Sequence, residues 1–266
     1  MSVQLNAPAS GITGLFSTMY RRAVRETRRI ILVVTAVPLI VPIFMLVVFS
    51  NVFAPIMGTA GFAGAPNYVT YIAPGAMLMA VMLSATGAVS VAVERQTGFY
   101  DRMRISPRGP RYSNVARRVA DATKLFMFAL VLVVVSFLAG ASTEHWLLAL
   151  VVGTVIPTLW GFVYGGFSFA LCLRTGKAEL AEAVLPAFFP LIFVSSAFVP
   201  VALLPPWMET VARYNPLTYL VDTIRQAYLG DVRASSLGWA ILSIVIVGVA
   251  SQLLIMEAER KVARTR

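Results

Sequence analysis

The groups able to do chemistry in this 266-residue chain are few and concentrated. Residues 94–107 read Glu-Arg-Gln-Thr-Gly-Phe-Tyr-Asp-Arg-Met-Arg-Ile-Ser-Pro, a charged island between two long apolar runs. Phe99 and Met103 stand four residues apart, so a helix would present them as one apolar knob. Arg95 and Arg102 flank the knob, and Glu94 and Asp101 add opposite charge. Such a surface suits docking, either into a groove on a soluble partner or onto anionic lipid. Covalent chemistry has no comparable constellation. Ser195 and Ser196 have no histidine near them in the sequence pattern, and their ordinary role is to bond back to helix backbone. The single cysteine, Cys172, excludes an intrachain disulfide, and with only His145 beside it a His/Cys metal site lacks ligands. Gly176-Lys177 is followed by Ala178 and lacks the earlier glycine of a P-loop. No catalytic residue, metal or cofactor is therefore expected on this chain.

The elements that must position the charged island are membrane helices. The chain is 58% hydrophobic and 13% charged, about half the charge fraction usual for a soluble domain. A spanning helix needs roughly 20 apolar residues, and the apolar runs predict six: about 30–53, 71–93, 123–140, 146–172, 184–201 and 237–256. The expected fold is an all-α polytopic membrane protein, one transmembrane domain over 1–266. Residues 12–29 alternate Leu15, Phe16, Met19 and Val24 with Arg21, Arg22, Arg25 and Arg28, the pattern of an amphipathic helix lying on the membrane face. The first apolar run is too long for a cleavable signal and reads as an anchor. Pro38 and Pro42 predict a kink in it. Gly161 and Gly165 have the small-xxx-small spacing of close helix contacts.

The segment 202–236 is too polar to span and too apolar for an ordinary loop. Pro205-Pro206-Trp207 would start one short helix. Asn215-Pro216 reads as an N-cap followed by proline at the first helical position. Leu217, Leu220, Val221, Ile224 and Tyr228 follow at helical spacing, and Gly230 is the stop. Asp222 and Arg225, three apart, are placed to pair on the helix surface. Two short helices at the outer face, dipping into it, are expected.

Of the 22 Lys and Arg residues, 19 fall in the N-terminal tail, the loop after span two, the loop after span four and the tail at 257–266. Arg213, Arg225 and Arg233 make up the rest. The positive-inside rule puts the larger set, and both termini, in the cytoplasm. The positive charge thus serves orientation, and nucleic acid is not an expected partner. The six spans carry no ionisable residue near their centres, which argues against a proton-driven carrier. Without a P-loop, any ATP must be hydrolysed by another polypeptide.

Two segments resemble a known family. Glu94-Arg95, Gly98, the apolar-basic run to Ile105 and Pro107 resemble the cytoplasmic motif of ABC-2 type transporter permeases. Asn215-Pro216-Leu217-Thr218-Tyr219, then Asp222, Arg225 and Gly230, resemble that family's segment before the last span. The six-span layout and the amphipathic N-terminal helix also fit, and the nearest flavour is the daunorubicin/doxorubicin-resistance type of bacterial drug-efflux permease. Phe99-Tyr100 replaces the Thr-Leu often found after the glycine. The resemblance implies a non-enzymatic permease subunit of an exporter in a bacterial cell membrane, moving an amphipathic drug or lipid-like compound. Polysaccharide or lipid-linked glycan export is the alternative within the family; a non-transporting scaffold or a membrane enzyme is the alternative outside it. The implied partners are a separate ATPase subunit that binds ATP and Mg, and a second permease chain, identical or paralogous. The implied coupling residues are Glu94, Arg95, Gly98, Phe99, Arg102 and Met103 on a cytoplasmic coupling helix between spans two and three. The motif at the outer side is Asn215, Pro216, Tyr219, Asp222 and Arg225. In similar permeases spans two and five approach the dimer axis, which places Met79, Met82, Phe189, Phe193 and Ala197 along a substrate path. Adaptable Met and aromatic side chains suit bulky apolar cargo; packing on neighbours or lipid is the competing role for each.

Overall fold

The computed structural model describes residues 31–58, 62, 64–84, 88–98 and 111–264. Among them no strand occurs, and nine α-helices follow in order: α1 (Ile31–Val52), α2 (Tyr68–Ser84), α3 (Ala88–Gln96), α4 (Arg111–Leu138), α5 (Trp146–Thr175), α6 (Glu179–Phe193), α7 (Pro206–Tyr214), α8 (Pro216–Leu229) and α9 (Ala234–Arg264). The amphipathic helix expected over 12–29, together with Phe99, Arg102 and Met103, lies outside the described residues.

α5 is the hub, packing against α2, α3, α4, α6, α8 and α9. Its small residues permit this. A Cβ on Gly161 would lie 3.1 Å from Val81 of α2 and 3.2 Å from Leu125 of α4, so both neighbours approach the α5 backbone there. The main core gathers Ile72, Met77 and Leu78 of α2, Leu125 and Leu132 of α4, Trp160 and Tyr164 of α5, and Leu220 and Ile224 of α8. A smaller core of Val91, Ala92, Phe169, Leu173, Ile255 and Val262 sits at the end of the bundle that carries the basic residues.

Among the described residues, three helical stretches are long and apolar enough to cross a membrane: Ser113–Leu138, Trp146–Thr175 and Ala234–Val262. Pro38–Val52 and Tyr68–Ser84 are shorter apolar stretches. The outward face of α9 exposes Ile241, Val245, Ile246, Val249 and Leu253 in one stripe, a surface that lipid, not water, can solvate. Trp146, Trp207, Tyr214 and Trp239 are exposed at the end away from the basic residues, the position of an interfacial aromatic belt.

Four boundaries depart from the expected spans. The second span starts at Tyr68 and runs to Gln96, described as α2 and α3, with 85–87 outside the described residues. The third begins at Arg111 instead of near 123. Arg117 and Arg118, expected in a basic loop, lie in this helix because the bundle supplies their partners. The last helix continues through the basic tail to Arg264, with Glu257 3.8 Å from Arg174 and Glu259 accepting from Asn114.

The fifth departs most. α6 ends at Phe193, and 194–199 is turns instead of helix. Ser195 competes with the helix for its own backbone: its Oγ donates to Ile192 O at 2.6 Å and accepts from Ala197 N at 3.2 Å. Pro200 then has no N–H to offer. Non-helical backbone of this kind survives in an apolar bundle only where protein satisfies it.

Candidate functional site

Two polar constellations stand at opposite ends of the bundle. At the basic end, α3 closes on Gly98. Thr97 N–H reaches Val93 O at 2.9 Å and Gly98 N–H reaches Arg95 O at 3.3 Å. Gly98 has φ +68°, a left-handed stop that glycine adopts without the Cβ penalty. The last turn of α3 is pinned on three sides. Glu94 is 6% exposed and forms a buried ion pair with Arg117 of α4. Arg95 donates to Leu173 O at 2.5 Å. Gln96 donates to Gly176 O at 3.0 Å. Beside them, Arg118 donates to Phe162 O at 2.5 Å and lies 4.0 Å over the Phe162 ring. Glu94 and Arg95 thus point into the bundle, where they fix the starting position of the segment that carries Phe99 and Met103.

At the other end, the break in the fifth segment exposes carbonyls, and side chains from other elements reach four of them. Asn215 Nδ2 donates to Leu191 O and Val194 O, both at 2.6 Å. Tyr71 Oη donates to Ser196 O at 3.1 Å, and Tyr68 Oη to Phe198 O at 2.7 Å. Arg225 Nη2 donates to Ser196 O at 2.6 Å. Ser196 Oγ donates to Asp222 Oδ1 at 2.6 Å, and Arg225 Nη1 reaches the same oxygen at 2.9 Å.

The expected N-cap is present: Asn215 Oδ1 accepts from Leu217 N at 3.0 Å, Pro216 takes the first turn, and Gly230 ends α8 at φ +75°. The apolar positions read in α8 are all buried. Asp222 and Arg225 do pair, with the Asp222 side chain partly exposed and Arg225 turned inward. Arg225 is 4% exposed and packed against α2, because the broken segment and α2 offer it carbonyls that water would otherwise supply. Tyr219 stacks on Trp239 at 5.7 Å and donates to Arg213 O.

The residues expected along a substrate path divide. Met79, Met82 and Ala197 are buried inside this one chain. Phe193 is 40% exposed and lies 5.2 Å from the ring of Phe189 and 5.1 Å from that of Phe198. From Phe198 the rings continue through Phe49, Phe53 and Tyr68 to Tyr71.

Sequence reasoning passed over Arg117, Tyr68 and Tyr71, and gave Ser196 a local role. A signal for Arg117 was available. Asn114, Arg117, Asp121 and Lys124 keep the 3–4 spacing of Leu125, Phe128 and Leu132, so the buried face runs on through the charged turns.

Gly75 shows how closely the broken segment is held. A Cβ there would lie 2.8 Å from Ala197 Cβ and 3.2 Å from Ala197 O. Backbone cannot yield cheaply, so Gly75→Val is expected to cost about 1–3 kcal/mol. Thermal unfolding in detergent checks this, and a wild-type melting temperature would contradict the contact.

Residues 14–229 match the ABC-2 type transporter family. The chain belongs to that family. Both end constellations fall within the matched span. The ABC-2 chain is 28% identical to a protein named as a transport permease, ycf38, from Porphyra purpurea, over 71% of this chain and 66% of that one; the match covers a little under two thirds of that relative. It is 22% identical to the daunorubicin resistance ABC transporter permease protein DrrB1 of Streptomyces coeruleorubidus, over 73% of this chain and 69% of that one. It is 24% identical to the inner membrane transport permease YadH of Escherichia coli K12, over 72% and 75%. The relatives therefore support a membrane transport permease. They do not single out the drug-resistance branch or a bacterial source, since algal proteins stand among them.

Proposed function

We propose that this ABC-2 chain is the membrane subunit of an ATP-driven exporter. The family match over 14–229 carries the reading. ATP and Mg are bound by a separate ATPase subunit, and a second permease chain, identical or paralogous, completes the complex. The chain crosses the membrane six times, with the basic end and both termini in the cytoplasm. The cargo is an amphipathic drug or lipid-like compound, supported by the half-exposed rings of Phe189 and Phe193. Met79, Met82 and Ala197 form the buried part of that path behind these rings.

The ATPase docks on 94–103. Its knob is Phe99 and Met103, Arg102 lies at its rim, and Gly98 sets its exit from α3. Glu94 and Arg95 hold the base of that segment against α4 and α5, so a push on the segment is delivered to the bundle. Truncating two apolar anchors costs about 1–2 kcal/mol each at an interface. Phe99→Ala with Met103→Ala is therefore expected to weaken coupling by roughly tenfold or more. Cargo-stimulated ATPase and export are measured with the copurified ATPase subunit in proteoliposomes. Stimulation and export both unchanged would reject the docking assignment. A panel including lipid-linked glycans as well as amphipathic drugs tests the cargo class, since stimulation by the glycans alone would replace it.

A further inference from the structure

Arg225 sits among acceptors that it did not need to find. Its Nε and Nη2 donate to Tyr71 O, both at 3.3 Å, and Nη2 also to Ser196 O at 2.6 Å. Nη1 donates to Asp222 Oδ1 at 2.9 Å. The guanidinium carbon lies 3.8 Å from the centre of the Tyr71 ring. Two carbonyls, a carboxylate and an aromatic face thus surround one cation. The carbonyls come from two different elements and are exposed for separate reasons. Ser196 O is freed by the break after α6. Tyr71 O is open to a side approach because the residue one turn on is Gly75, which has no side chain to cover it. Every one of these groups is an acceptor or a negative surface, so without a cation the cluster is a partly exposed carboxylate facing buried, half-used carbonyls.

We propose that Tyr71, Ser196 and Asp222 form a cation site and that Arg225 is its permanent, tethered occupant. The acceptors lie around the edges of a plane and the Tyr71 ring lies on its face, which matches a flat guanidinium with its forked donors and not a spherical ion or an ammonium. Unwound carbonyls with a carboxylate hold the coupling ion in carriers driven by ion gradients. In this chain the place is filled by one of its own side chains. The occupant locks α2, the broken segment and α8 into one unit.

The test uses the full-length protein in detergent. Arg225→Ala empties the site, and guanidinium chloride is added at low millimolar concentration, far below denaturing levels. The melting temperature is expected to rise by roughly 2–4 °C and to saturate. Sodium, potassium and ammonium chloride should not reproduce the rise. Wild type should show none, and Arg225→Ala with Asp222→Asn should lose it. A flat or falling response in Arg225→Ala, or an equal rise with sodium, overturns the site. Arg225→Lys supplies a second reading should Arg225→Ala not fold. It keeps the charge without the fork and is expected to melt several degrees below wild type, and a wild-type melting temperature would overturn the planar assignment. Unfolding is read without any transport, so the site can fail while the exporter reading stands.

Discussion

Glu94→Gln is expected to cost about 3–5 kcal/mol of stability, the usual penalty for stripping the counter-charge from a buried ion pair. Both side chains of the Glu94–Arg117 pair are less than a tenth exposed, so solvent screening offers little relief. Arg117→Met should be comparably damaging, because it removes the same buried ion pair from its other side. The double variant Glu94→Leu with Arg117→Met should recover most of the loss, since well-packed apolar residues often replace a buried pair at little net cost. A double-mutant cycle on thermal or denaturant unfolding in detergent measures this. Additive single effects would show that the pair does not act as a unit. The same variants separate folding from coupling. If the pair transmits force from the docking segment, the apolar double variant will be stable yet will show less cargo-stimulated ATPase. Full stimulation in that stable variant would leave the pair a purely structural brace.

The second large effect is expected at Asn215. Its side chain serves two helices at once: the oxygen caps the start of α8 and the nitrogen closes the carbonyls that α6 leaves open. Asn215→Ala should cost roughly 3 kcal/mol or more, combining a lost N-cap of about 1 kcal/mol with two unsatisfied carbonyls at about 1–3 kcal/mol each. Asn215→Asp is the discriminating change. Asp caps helices about as well as Asn, but it has no N–H to donate and sets a negative charge against Leu191 O and Val194 O. Asp should therefore be at least as damaging as Ala. An Asp variant that melts like wild type would reduce Asn215 to an ordinary cap and remove the link between the broken segment and α8.

These two residues also mark where local pattern sufficed. Asn215-Pro216 at the start of α8, the buried face of Leu217, Leu220, Val221, Ile224 and Tyr228, and the glycine stop at 230 are all local signals. A cap, a period and a terminator act within a few residues, so the chain text contains them whole. The long apolar helices α4, α5 and α9 were legible for the same reason, as was the absence of a nucleotide-binding loop. The motif pairing at 94–107 and 215–230 placed the chain in its family, and the match over 14–229 agrees.

Partners far apart in sequence were not legible. Arg117 meets Glu94 across 23 positions, and Arg225 meets Tyr71 across 154. In the sequence an arginine near a membrane helix reads as an orientation charge; only the packed bundle shows that one of them fills a place left by broken backbone. The end of α6 at Phe193 belongs to the same class. The apolar run continues to 201, so pattern alone extends the helix, while the competing bonds of Ser195 and the donors of Tyr68, Tyr71, Asn215 and Arg225 stop it. Hydropathy records how much surface must leave water, which sets composition, helix content and membrane class. It does not record which carbonyl loses its helical partner, since that is decided by which side chains converge when the helices pack.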